Sequence, residues 1–422
     1  MDAMEIVGGR RLEGRVRASG AKNAALPIMA ASILAEGPMR LKNVPDLMDI
    51  RTMSRLLAVL GVKVEREPGG DLILHCASAR KSEAPYRIMK TMRAGICVLG
   101  PLVARRKLVR VSLPGGCAIG DRPVDLHLKG LRALGANLDI DHGYIVGGAK
   151  RLRGAEMYLG GPFGSTVTGT ANVLMAAVLA KGVTVIDCAA CEPEVQDLCR
   201  VLVKMGAQIQ GIGSPRLVIE GVDRLAGCEH AVIPDRIEAG TLLLAGAATR
   251  GDVTVEGARW NDLFALVHTL REIGAGIEHF DDTIRVRGRR RLKSVDVTTL
   301  PFPGFPTDLQ AQMMATLTTA DGISVVTEKI YPDRFMHVAE LGRMGARIRK
   351  EGNFAVVQGA RRLSGAPVMA SDLRASAALV IAGLVAEGKT SISRIYHLDR
   401  GYEKIEQKLG QLGAKIRRYK ES

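Results

Sequence analysis

Leu409–Ile416 reads LGQLGAKI, one instance of the phrase Leu-x-x-φ-Gly-Ala-x-φ in which φ is apolar. Five more copies run back along the chain. They are LGRMGARI at Leu341–Ile348, LREIGAGI at Leu270–Ile277, LVKMGAQI at Leu202–Ile209, LRALGANL at Leu131–Leu138 and LLAVLGVKV at Leu56–Val64, with Val62 in the Ala place. Their glycines, Gly61, Gly135, Gly206, Gly274, Gly345 and Gly413, lie 74, 71, 68, 71 and 68 residues apart. So even a period means six copies of one folding unit of about 70 residues. In the last copy Ile405, Leu409 and Leu412 share one helical face, Gly413 stops the helix, and Lys415-Ile416-Arg417 begins a strand. The glycine is a C-cap, because it adopts the left-handed conformation that a cap needs.

A second signature precedes most phrases: an apolar helix, a glycine or polar pair, then a β-rich run. Examples are AASILAEGPMRLKNV, MAAVLAKGVTVIDCA, LAGAATRGDVTVEGA and IAGLVAEGKTSISRI. Gly37, Gly182, Gly251, Gly322 and Gly388 mark these helix ends, with Arg105-Arg106-Lys107 in the second copy. The spacing predicts helix, strand, helix, strand in each unit, with further short strands such as 71–75 and 144–146. A chain of 422 residues exceeds one ordinary core, and three units per domain give two domains.

The apolar fraction of 47% supports large cores, and only 4% aromatics makes them aliphatic. No stretch approaches the length of a membrane span. The opening MDAMEIVGGRRLEG lacks an apolar signal segment, so a cytoplasmic protein is expected. Seven cysteines, an odd number, fit reduced thiols better than a disulfide framework. The net charge of +15 admits nucleic acid or small polyanionic ligands. The dense runs, RVRGRRRLK at Arg285–Lys293 and IRRYK at Ile416–Lys420, lack interleaved aromatics for base stacking. They are expected to form solvated strand edges and turns.

The most chemically pointed segment is SLPGGCAIGDRPVD at Ser112–Asp125. Its glycines and prolines bend the chain and bring backbone close to a ligand. Cys117 follows Gly115-Gly116, and Arg122 is close enough in sequence to favour the thiolate, so this thiol can donate a proton or attack carbon. Cys188 and Cys191 form a C-x-x-C with no second pair at metal spacing, so no zinc site is expected. Cys76, Cys97, Cys199 and Cys228 read as core or neutral.

Six repeats together with this loop resemble the enolpyruvyl transferases, and among them the members that act on a sugar nucleotide. The strings that carry the resemblance run in order from about Ile6 to Arg418. They are SGAKNAALP (Ser19–Pro27), TMRA (Thr91–Ala94), GGCAIGDRPVDLH (Gly115–His127), PDRIEAGT (Pro234–Thr241), FPTDLQAQ (Phe305–Gln312), RFMHV (Arg334–Val338), DLRASAAL (Asp372–Leu379) and HLDRGYE (His397–Glu403). The shikimate-pathway members lack such a Gly-Gly-Cys loop. The resemblance implies an α/β fold, a two-domain inside-out α/β barrel with three repeats per domain. One domain spans 22–232, and the other joins 1–21 to 233–422, with hinge crossings near Ala21 and Val232.

It also implies transfer of the enolpyruvyl group of phosphoenolpyruvate to the 3-hydroxyl of UDP-N-acetylglucosamine by addition and elimination, in cell-wall peptidoglycan synthesis. Cys117 is then the proton donor and the target of the epoxide antibiotic fosfomycin, and Asp308 the general base. An Asp at that place could also cap the helix that follows it. Lys22, Asn23, Arg122 and Arg400 would hold phosphoenolpyruvate, with Lys22 and Arg400 also serving catalysis. Arg93, Arg122, Pro123, Val124, Asp125, Leu126, Ser165, Thr166, Val167, Asp308 and Ile330 would meet the sugar nucleotide, the 165–167 turn through exposed N–H groups. Arg334 adds positive charge, while Asp372 and Arg374 have supporting roles. The chain departs from some relatives at Met48, Cys97 and Gly164. No metal or cofactor is implied, the partners are small molecules and not nucleic acid or membrane, and the chain is a monomer.

Overall fold

A computed structural model describes residues 2–77, 81–106, 108–115, 124–288 and 291–420. The chain folds as two compact units. The middle unit comprises 20–115 and 124–233; the terminal unit joins 2–19 to 234–420. Each has its own aliphatic core.

Apart from a single helical turn that the second repeat adds at Tyr86–Met89, every repeat contributes two principal helices. In the middle unit these are α1 (Lys22–Ala31) with α2 (Met48–Val59), α3 (Leu99–Arg105) with α4 (Asp125–Ala133), and α5 (Val167–Ala177) with α6 (Pro193–Lys204). In the terminal unit they are α7 (Arg236–Ala248) with α8 (Phe264–Glu272), α9 (Gln310–Leu317) with α10 (His337–Arg343), and α11 (Leu373–Val385) with α12 (Ile405–Gln411). The first helix of each pair is apolar almost all round and lies inside its unit; all eight residues of α9 are buried. The second is amphipathic. In α2, Ile50, Met53, Leu56 and Leu57 point inward at helical spacing. Each fully buried Leu or Ile contributes roughly 1.5–3 kcal/mol.

All six phrase glycines take φ between 87° and 109°, as caps in the left-handed region must. Gly251 is different. Arg250 takes the left-handed position there (φ 55°), and a Cβ on Gly251 would lie 2.0 Å from the Leu12 carbonyl oxygen. Gly251 is needed for close approach to a neighbouring strand and is not a cap.

Each repeat has one four-stranded sheet of a single pattern. A short edge strand runs parallel to the strand that follows the buried helix, and two antiparallel strands complete the sheet. In the fifth repeat the order is Val297–Thr298, Ile323–Thr327, Phe354–Gln358, Arg347–Glu351. The sheets cover the buried helices on the outside, one face packed and one solvated, and among the described residues no strand pairing joins one four-stranded sheet to the next.

Two edge strands are exchanged along the chain. Glu13–Arg17 precedes α1 but pairs with Asp252–Glu256, after α7. Glu229–Ala231 precedes α7 but pairs with Met39–Lys42, after α1. The strand Asp2–Val7 fills the sixth sheet between Lys389–Ser393 and Lys415–Lys420. Each unit thus closes on three repeats although the chain passes between them twice.

The basic runs are surface features. Arg285 and Arg287 pair with Asp252 and Glu278, Arg291 with Asp321, and Arg418 with Asp399. Among the described residues no helix is long and apolar enough to cross a membrane.

Candidate active site

In the middle unit, the site residues gather at starts of helices. Lys22 is the first residue of α1 and is buried; its Nζ pairs with Asp49 Oδ2 at 3.2 Å, in the first turn of α2. A buried ammonium needs such a counter-charge. Asn23 follows it, half-buried. Arg93 opens a 3-10 turn, Arg93–Val98. Ser165 and Thr166 lead into α5, where Thr166 Oγ1 caps the helix by accepting from the Gly169 N–H at 3.2 Å. Gly164, just before, has φ 93°, a conformation in which a side chain is strained. Val124 stands at the N-cap position of α4 without a side-chain bond and is buried, Asp125 is exposed and Leu126 half-buried.

Behind these residues lies a network that the sequence reading did not single out. Asn172 Nδ2 donates to Ile96 O at 2.9 Å and to His127 Nδ1 at 2.8 Å, so the His127 proton resides on Nε2, 3.2 Å from Thr168 Oγ1. Burial, then the Arg93 charge, pushes His127 down to about 3. It is a neutral strut.

Cys117, Arg122 and Pro123 lie outside the described residues. Burial pushes Cys97 and Cys199 up to about 12 and raises Cys191 and Cys228, so these four are poor nucleophiles. Among the described residues no group of three or more His, Cys, Asp or Glu is arranged to hold a metal.

In the terminal unit the centre is Asp308, within the 3-10 turn Thr307–Leu309 that leads into α9. Its Oδ1 accepts from Arg334 Nη1 at 2.7 Å and its Oδ2 from Arg374 Nη2 at 3.0 Å. Both arginines are buried, while the Asp308 side chain keeps 26% of its surface exposed. Burial is the largest single effect and lowers the pKa of each arginine, but Asp308 together with Asp372 at Arg334, and with Tyr402 and Asp235 at Arg374, turns the net shift upward. Two fixed cations thus face one reachable carboxylate.

Asp308 sits in the first turn of that 3-10 helix, where the helix dipole favours an acid, while the N-cap positions fall on Pro306 and Leu309. Of the two placements open to an acid at the start of this helix, N-cap or first turn, the structure shows the first turn. Arg374 has a larger part than a supporting one, since it holds Asp308 directly. Asp372 is structural: its Oδ1 caps α11, accepting from Arg374 N–H at 2.7 Å and Ala375 N–H at 3.1 Å.

Ile330 is half-buried in the bend after the strand Ile323–Thr327. Arg400 closes the 3-10 turn Ile395–Arg400, and burial together with its charge lowers the pKa of His397. Glu328 and Thr307 were missed by the sequence reading; both bond into the surroundings of Asp308.

The EPSP synthase (3-phosphoshikimate 1-carboxyvinyltransferase) family matches residues 6–409. Two relatives are named UDP-N-acetylglucosamine 1-carboxyvinyltransferase. That of Anaeromyxobacter sp. (strain Fw109-5) is 56% identical over 424 residues, and that of Desulfatibacillum aliphaticivorans 54% over 420, with both chains covered in full each time. Among solved structures, the enolpyruvyl transferase NikO from Streptomyces tendae aligns with a TM-score of 0.90 at 24% identity, over 100% of this chain and 99% of its own. EPSP synthase from Acinetobacter baumannii aligns at 0.77 and 18% identity over both full lengths. At those identities the structures speak for the α/β fold alone.

Proposed function

The chain belongs to the EPSP synthase family of enolpyruvyl transferases, and from that premise we propose that it transfers the enolpyruvyl group of phosphoenolpyruvate to the 3-hydroxyl of UDP-N-acetylglucosamine. Inorganic phosphate is released, and the step is the first committed one of peptidoglycan synthesis. The full-length relatives that carry this activity in their names support the choice of acceptor. The observation that carries the mechanism is Asp308, a partly exposed carboxylate fixed by two buried arginines.

Cys117 gives its proton to the methylene carbon of phosphoenolpyruvate, which leaves the adjacent carbon electron-poor. The acceptor 3-hydroxyl oxygen bonds to that carbon while its proton passes to Asp308. The tetrahedral adduct then loses a methyl proton back to the Cys117 thiolate, the carbon–oxygen bond to phosphate breaks with the phosphate leaving with the proton that Asp308 had taken, and the double bond returns. Lys22, Asn23, Arg122 and Arg400 bind the phosphate and carboxylate of phosphoenolpyruvate; a preset cation costs little reorganisation when charge moves. The turn 165–167, Arg93, residues 122–126 and Ile330 take the nucleotide sugar. The same reading makes the chain a cytoplasmic monomer acting on small anions, and the pairing of Arg285, Arg287 and Arg291 with acids speaks against nucleic acid.

The test is phosphate release from phosphoenolpyruvate with and without UDP-N-acetylglucosamine, and after fosfomycin pretreatment. Acceptor-dependent release, abolished by fosfomycin with the adduct on the Cys117 peptide, is expected. Release that follows shikimate 3-phosphate instead, or no release with either acceptor, overturns the proposal.

A further inference from the structure

Glu328 lies one residue past the strand Ile323–Thr327 and is completely buried. Among the described residues no salt bridge reaches it. A buried carboxylate is costly unless its lone pairs are filled, and here four donors fill them. Thr299 Oγ1 (2.7 Å), the Ile330 N–H (2.8 Å) and the Tyr331 N–H (2.9 Å) donate to Oε1. Thr307 Oγ1 donates to Oε2 at 2.9 Å.

The two oxygens serve different ends. Oε1 folds the backbone at Ile330 and Tyr331. Oε2 sets the Thr307 hydroxyl. A hydroxyl has one proton, and this one is committed to Glu328, so a lone pair is left for Arg334. Arg334 Nη1 donates to it at 3.0 Å and to Asp308 Oδ1 at 2.7 Å. The relay runs one way, from Arg334 to Thr307 to Glu328, and only an acceptor at its end keeps that direction.

We propose that Glu328 is a positioning residue for the transfer reaction: through Thr307 and Arg334 it fixes the Asp308 carboxylate, and through the Ile330 backbone it ties that base to the bend expected to meet the acceptor. The proposal rests on the role given to Asp308 above. An amide at 328 would keep the Oε1 bonds but present N–H to Thr307. The hydroxyl would then receive two donors and turn, loosening the grip of Arg334 on Asp308.

The experiment is steady-state phosphate release by the full chain and its variants, with KM for UDP-N-acetylglucosamine separated from kcat. Thr307→Val cuts the relay and leaves the three Oε1 bonds in place. It lowers kcat about 10- to 100-fold while the acceptor KM stays within about 3-fold, the pattern of a misplaced base. Thr307→Ser restores the hydroxyl and holds kcat within about 3-fold of wild type. Glu328→Gln has nearly the volume of the original side chain and lowers kcat as Thr307→Val does, which keeps the test open should the valine variant fail to fold. Circular dichroism identifies that failure. Wild-type kcat in Thr307→Val or Glu328→Gln, or a serine variant as slow as the valine one, overturns the proposal. A wild-type chain that releases no phosphate removes the functional reading and this inference together; an active wild type with unaffected variants removes only the inference.

Discussion

Three aspartates stand at the starts of the three buried helices of the terminal unit, and one behaves unlike the others. Asp235 caps α7, accepting from the Ile237 and Glu238 N–H groups at 2.8 and 3.1 Å, and Asp372 caps α11 in the same way. Asp308, in the repeat between them, gives one oxygen to Arg334, from later in its own repeat, and the other to Arg374, from the next repeat. Repeats that share a backbone plan can hold one carboxylate in a structural role and another in a chemical one. The difference is made by partners: a cap needs only local amides, while Asp308 takes Arg334 and Arg374, 26 and 66 residues further on.

The comparison breaks if the two kinds of aspartate respond alike to substitution. Asp308→Asn removes the base and is expected to lower kcat about 10²- to 10⁴-fold. Near-wild-type turnover in this variant, measured by acceptor-dependent phosphate release, would end the distinction.

The same matching of repeats brings out a second pair. His127 and His337 each stand eight residues before a phrase glycine, Gly135 and Gly345, in the middle repeat of their units. Burial, then Arg93, pushes His127 down to about 3; burial, opposed by Asp372 and reinforced by Arg334, pushes His337 down to about 4. Both folded values lie below the ordinary 6.5, so the unfolded chain binds protons first as the medium is acidified. Stability is full above about pH 6.5 and falls as pH drops towards 4 and then 3, by roughly 3–5 kcal/mol per histidine. Urea midpoints taken across that window should fall steeply, and less steeply in His337→Gln. An unchanged slope in that variant counts against a neutral buried His337.

The smallest effect sharpens the first contrast. Asp235→Ala loses a cap and should cost about 1 kcal/mol of stability with kcat unchanged within about 3-fold. A large loss of turnover there would mean that Asp235 shares the work of Asp308.

The repeat, its glycine caps and the alternation of helix and strand were legible because they depend on neighbours within one turn or one strand. The strands Leu72–Cys76 and Tyr144–Gly148 were expected too, at 71–75 and 144–146, but their pairing was not, because it is set by partners elsewhere in the repeat. Lys22 and Asp308 could be named from motifs, but not the 3.2 Å pairing of Lys22 with Asp49 or the two-arginine grip on Asp308. Arg374 was undervalued because it follows a capping Asp, where a polar first-turn residue is ordinary. Glu328 gave no signal at all, since a glutamate after a β-rich run reads as solvent-facing. Lining up the three Asp-containing helix starts would have raised the question of which aspartate does not cap.

The strand exchange also bears on the order in which the protein is made. Synthesis proceeds from the N-terminus, and domains fold as they emerge. The middle unit has all its strands once residue 231 is out, because Glu229–Ala231 supplies the last edge. Glu13–Arg17 must wait for Asp252–Glu256, and Asp2–Val7 for Lys389–Ser393 and Lys415–Lys420. The strands Asp2–Val7 and Glu13–Arg17 are therefore among the last to find their partners, and the nascent chain carries both unpaired while the whole middle unit is made.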